Sequence, residues 1–202
     1  MIIDEIKPYL KQFNSIMFTW FHDMISPQFS NSINTACVGF EKDNTSCIKF
    51  YFNENFWNSL NYNEKCFLFT HEVLHVLFNH GYEGEKFINS LPEEMRSYEL
   101  LNCTQDVVIN EIIINQYITI PLKSMPYISK GYFINSLFNE KDLHLIKHNQ
   151  SFEYYYYKYY ELYGLSKPNE NYQLLFDHSN LEEYNDEEVL PEIKIKEDNL
   201  FS

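Results

Sequence analysis

The segment His71-Glu72-Val73-Leu74-His75 constrains this chain more than any other feature, because it lies inside an almost unbroken apolar run. Cys66-Phe67-Leu68-Phe69-Thr70 precedes it and Val76-Leu77-Phe78 follows. On a helix, residues i and i+4 stand one above the other, so the two imidazoles share a face and can hold one ion. Glu72 is about 100° round the helix from His71, within reach of a water on that ion without being a ligand. Asn61 and Glu64 read as an N-cap and its capping-box partner, and Gly81 reads as the stop, which predicts one helix over 62–80. Three polar side chains on so apolar a helix are costly to bury unless something pairs with them, and a metal would do so.

Neutral imidazoles suit zinc, and a catalytic zinc site needs a third protein ligand and an open position for water. That water's pKa falls towards about 7, with Glu72 placed to take its proton. The third ligand is sought in a second buried helix, predicted over 98–117. There Asp106 and Asn110 are one turn apart on an otherwise apolar helix. A buried carboxylate needs a partner, which makes Asp106 the candidate and Asn110 its support. Glu111, Glu99 and His80 are rivals. Glu111 is about 140° from Asp106, so the two cannot both face one ion. His80 would reach the site only if the first helix ended there; otherwise it is a helix-terminal histidine favoured by the dipole.

The remaining chain supplies few competitors. Apolar residues at helical spacing run from Ile2 to Ile25, with His22 among them as a core or surface histidine. Residues 26–34 read as a turn-rich link. Two strand-like runs, 35–40 and 46–52, flank the polar stretch 41–45 and read as a hairpin. Residues 81–92 read as a polar loop, Pro92-Glu93-Glu94 as a helix start, and 119–146 as irregular, broken by Pro121, Pro126 and Gly131. His144 and His148 repeat the i, i+4 spacing without an apolar setting and read as a solvated pair. A tyrosine-rich helix is expected over 152–163, ended by Gly164 and Pro168; its tyrosines suit core packing, although one could stabilise an oxyanion. Residues 169–202 form an acidic extension that is partly disordered or docks on a protein partner.

The net charge of -14 argues against a nucleic-acid partner. No run approaches 18 apolar residues, so no membrane span is expected. The four cysteines form no CxxC pair and read as free thiols. With no signal-like N-terminus, a cytoplasmic protein of a cell or of a virus is expected.

The sequence HEVLHVLFNH, followed about 20 residues later by LLNCTQDVVINEIII, resembles an uncharacterised metallopeptidase family often fused to a von Willebrand factor A-like domain. The hairpin leading into Phe52-Asn53-Glu54-Asn55-Phe56, the pair Ile120-Pro121 and the segment Ser151-Phe152-Glu153-Tyr154-Tyr155 resemble other parts of it. So does Phe176-Asp177-His178-Ser179, which would bring His178 near the cleft. Cys103 and Thr104 depart from the small apolar residues usual there, and no room is left for the second domain. The resemblance spans roughly 30–180. It implies His71 and His75 as ligands, Glu72 as base and Asp106 as third ligand.

The expected fold is α+β and zincin-like: mostly helical, with a small hairpin or sheet beside the HExxH helix. Residues 1–168 would form the metallopeptidase-like domain and 169–202 the extension. The expected function is zinc-dependent hydrolysis of a protein or peptide substrate lying along an edge strand. The alternative, a zinc-stabilised, non-catalytic protein-binding module, viral or part of a larger assembly, would use the same ligands without needing Glu72. A metal-free helical protein would make the HExxH an accident.

Overall fold

The computed structural model describes residues 4–5, 25–41, 44–116 and 133–166. Most of the first predicted helix with His22, the stretch 117–132, and the segment beyond 166 with His178 lie outside the described residues. The architecture is α+β, helices packed against a three-stranded mixed sheet.

Strands β1 (Ile25–Phe29), β2 (Ala36–Glu41) and β3 (Asn44–Phe52) lie in the order β1-β3-β2. β2 and β3 form the expected antiparallel hairpin, Val38 opposite Phe50, with a register shift between Phe40 and Glu41. β1 corrects the sequence reading. Its residues were expected in a turn-rich link, but they pair parallel to β3, Ile25 opposite Ile48 and Phe29 opposite Phe52. Pro27 masks this strand in the sequence and is tolerated because β1 is an edge. Alternation along β3 turns Phe50 and Phe52 inward, both fully buried. Phe50 stacks on Phe69 at 5.3 Å and Phe52 meets Trp57 at 4.7 Å. Trp57 belongs to the short α1 (Glu54–Ser59), whose first turn is capped by Asn53 Oδ1.

The motif helix, α2 (Tyr62–Leu77), starts where the sequence predicts. The Asn61 side chain accepts from Glu64 N (3.1 Å), and Glu64 Oε2 accepts from Asn61 N (2.7 Å). Its end differs. Asn79 adopts the left-handed conformation (φ 52°), and a new helix, α3 (His80–Ser90), follows in place of the expected polar loop. Asparagine tolerates that conformation where most residues do not, so Asn79 breaks the helix and Gly81 is absorbed into the next one. A 3₁₀ turn at Glu93–Met95 then leads into α4 (Tyr98–Gln116). Gly84 lets α3 approach α4 closely: a Cβ there would lie 2.5 Å from Gln105 Nε2.

Beyond 132, the stretch read as irregular contains α5 (Ile134–Leu137) and a 3₁₀ segment at Glu140–Leu145. The tyrosine helix, α6 (Phe152–Tyr163), has the predicted bounds, with Ser151 as N-cap and Gly164 at φ 65° as the stop. The core continues from Ile88 of α3 and Leu101 and Val107 of α4 to Tyr155, Tyr156 and Tyr159 of α6. Helix α4 is therefore central, with α2 and α6 both packed against it. Among the described residues, no helix is long and apolar enough to cross a membrane, and Cys37, Cys66 and Cys103 are buried free thiols.

Candidate metal centre

Helices α2 and α4 bring His71, His75 and Asp106 together. Side-chain exposure is 0%, 6% and 0% respectively, so all three donors are withdrawn from water. The two Nε2 atoms are 2.9 Å apart, and Asp106 Oδ1 is 3.4 Å from that of His71 and 3.3 Å from that of His75. Ligands about 2.0–2.1 Å from a tetrahedral zinc stand about 3.3–3.4 Å from one another, so this triangle has nearly the size of one tetrahedral face. Both Asp106 oxygens are buried with no hydrogen-bond partner among the described residues. Leaving such a carboxylate unsatisfied is costly, and a cation within the triangle would satisfy it. The donor set fits a divalent metal.

The remaining nitrogens face away from the triangle. His71 Nδ1 is 2.9 Å from Asn110 Oδ1, one turn along α4 from Asp106, which is the supporting role expected of Asn110. His75 Nδ1 is 3.1 Å from His80 Nδ1. His80 reaches the site because α2 ends at Leu77, the condition under which the sequence admitted it, yet it meets the back of His75 and is not one of the three converging donors.

Glu72 is fully buried, and neither of its oxygens has a hydrogen-bond partner among the described residues. Burial, reinforced by the Asp106 charge, pushes its carboxyl well above the usual carboxylate range. Burial also acts to raise Asp106, but His71 and His75 outweigh it and hold that group below the usual range. The two neighbouring carboxyls are thus shifted in opposite directions, Asp106 down and Glu72 up. Across from them, Cys37 on β2 is buried, and its thiol is pushed up to about 12 by burial and by the Glu72 charge.

The other sequence candidates stand elsewhere. Glu111 points to the opposite side of α4, where it accepts from Tyr155 OH, His148 Nδ1 (2.9 Å) and Asn149 N (3.1 Å). Glu99, in the first turn of α4, lies towards Tyr159. His144 is exposed, with Nδ1 2.8 Å from the Lys141 carbonyl, so it and His148 do not act as a pair. The core tyrosines have structural partners: Tyr155 bonds Glu111, Tyr156 the Met95 carbonyl and Tyr159 the Ser166 carbonyl. Sequence reasoning missed the contact between His80 and His75. The Asn79-His80-Gly81 run carried the signal, since two residues that tolerate left-handed backbone flank the histidine.

A search of curated proteins and a search of solved structures gave no match. A family model described as "Putative metallopeptidase domain" matches residues 33–145, more than half of the chain, and spans the hairpin and all four residues of the cluster and its neighbouring acid. That description points to metal-dependent hydrolysis of peptide bonds as the class of chemistry. On the extent of that match, the chain belongs to this metallopeptidase-domain family.

Proposed function

We propose that the protein is a zinc-dependent peptidase. His71, His75 and Asp106 hold the zinc and Glu72 is the general base, within a catalytic unit of residues 1–168. The observation that carries this reading is the buried triangle of donors beside Glu72, a buried glutamate on the histidines' own helix with no hydrogen-bond partner among the described residues. Bound zinc supplies the Lewis acidity that makes water nucleophilic near neutral pH. Glu72 then takes a proton from the attacking water and passes it to the leaving amine. Asp106 contributes a fixed negative charge to the metal, and Asn110 keeps the His71 ring turned so that Nε2 faces inward. β2 is an edge of the described sheet and packs on α2, so an extended peptide can add beside it through main-chain hydrogen bonds.

A structural zinc site normally closes its coordination with four protein donors, whereas a catalytic one keeps a position open. Three donors converge among the described residues, which favours catalysis over the zinc-stabilised binding module. The test is zinc content and cleavage of a peptide library by wild type and Glu72→Gln. The variant is expected to retain zinc and lose about 10²–10⁴-fold in cleavage rate. Equal cleavage by both would remove Glu72 from the mechanism, and a wild type without zinc after reconstitution would end the metallopeptidase reading.

A further inference from the structure

His80 is 5% exposed and lies directly behind one of the three donors, although it is not one of them. Its Nδ1 is 3.1 Å from His75 Nδ1, while His75 Nε2 faces Asp106 and His71. Unlike the two Nε2 atoms, which converge on the carboxylate of Asp106, these two nitrogens have no place for a cation between them, and the contact is favourable only if they share one proton, since two N–H groups would repel. If the Nε2 lone pair of His75 faces a metal, its proton must sit on Nδ1. His80 Nδ1 must then accept, and the His80 proton lies on Nε2.

The surroundings fix His80 for this role. Its ring stacks on Phe78 with centroids 5.6 Å apart and meets Phe152 edge-on at 5.7 Å. Its carbonyl accepts from Gln105 Nε2 at 2.9 Å, the contact that the missing Cβ of Gly84 leaves room for. Asn79 starts α3 at the one place that swings His80 back over His75.

The chemistry of the partner matters too. Metal-bound histidines often donate to a carboxylate. Here the outer acceptors are an amide oxygen, Asn110 Oδ1, and an imidazole nitrogen, His80 Nδ1. Asp106 and Glu72 already place two carboxyl groups in a buried space. A third carboxyl group behind His75 would add a further acid to that buried space and raise the desolvation cost of the site.

We propose that His80 is a positioning residue for the metal centre: it accepts the Nδ1 proton of His75 and so holds the Nε2 lone pair towards the metal. This rests on the zinc reading above, and the test separates the two. Zinc affinity of the full chain is measured by competition with a chromophoric chelator for wild type, His80→Phe and His80→Asn. Phenylalanine keeps the ring packing and removes the acceptor; asparagine gives up the ring and restores an acceptor. His80→Phe is expected to weaken zinc binding roughly 10–100-fold, with His80→Asn recovering most of the loss. Unchanged affinity in His80→Phe, or tighter binding by His80→Phe than by His80→Asn, would overturn the inference. Long-range ¹H–¹⁵N spectra of the zinc-loaded wild type test it without any variant. His75 is expected to be protonated at Nδ1 and His80 at Nε2, and a His80 protonated at Nδ1 would overturn it. A wild type that binds no zinc would defeat the zinc reading itself, and this inference with it.

Discussion

Glu111 and Asp106 sit on one helix and compete as acids for the metal in the sequence, and their substitution should give opposite results. Glu111 accepts from the hydroxyl of Tyr155, a fully buried residue, and from His148 Nδ1 and Asn149 N at the surface. His148 is 71% exposed, so water replaces that partner at little cost. The energy therefore resides mainly in the Tyr155 bond. Glu111→Ala leaves the Tyr155 hydroxyl proton without its acceptor, although the oxygen still accepts from Gln150 N, at about 1–3 kcal/mol, and removes packing worth about 1 kcal/mol more. The expected loss is about 2–4 kcal/mol, or roughly 4–16 °C in Tm for a chain of this size. In a Tyr155→Phe background that hydroxyl is absent, so the same substitution should cost about 1–3 kcal/mol less. Urea unfolding of the four metal-free proteins in this cycle gives the coupling. Zinc content should be unchanged by Glu111→Ala and lost in Asp106→Ala. Loss of zinc on changing Glu111, or additive effects of Glu111 and Tyr155, would refute the reasoning.

Asn110→Leu removes the acceptor for His71 Nδ1 at a position where both residues are fully buried. Zinc affinity should fall roughly 10–100-fold and metal-free stability by about 1–3 kcal/mol; chelator competition and urea melts measure the two, and unchanged affinity would contradict the assignment. The Cys66 thiol is pushed from 9.0 up to about 12 by burial, with a Tyr62 hydrogen bond acting the other way. The folded pKa lies above the unfolded one, so the contribution is intact below pH 9 and lost as pH rises through the window from 9 to about 12. Wild type should lose up to about 1.4 kcal/mol more per pH unit in that window than Cys66→Ala, as read from urea midpoints. Parallel pH profiles would refute this.

Local chemistry made much of the site legible. The capping box at Asn61 and Glu64, the i, i+4 histidines and the Asp106–Asn110 face depend on spacing within one helix, and the structure reproduces each. The tyrosine helix was equally clear, because Ser151 and Gly164 mark its two ends. What escaped depends on distant partners. β1 exists only because β3 offers it a parallel edge, and Pro27 argues against a strand in isolation. The break at Asn79 uses a residue that tolerates left-handed backbone, and the close approach of α3 to α4 at Gly84 that goes with it involves residues distant in sequence, which the hydropathy pattern around Gly81 does not encode. Glu111 looked like a rival ligand because its true partners lie 37 to 44 residues away in sequence.

Asn110 and Glu111 are one peptide bond apart and hold opposite sides of the molecule: one secures His71, the other Tyr155 and the loop at His148. A helix buried on both flanks cannot shift for one partner without disturbing the other. On the zinc reading, capture of an ion at His71, His75 and Asp106 would therefore also stiffen α4 and, through it, α6. Amide exchange in the tyrosine helix, remote from any donor atom, should slow when the ion is bound.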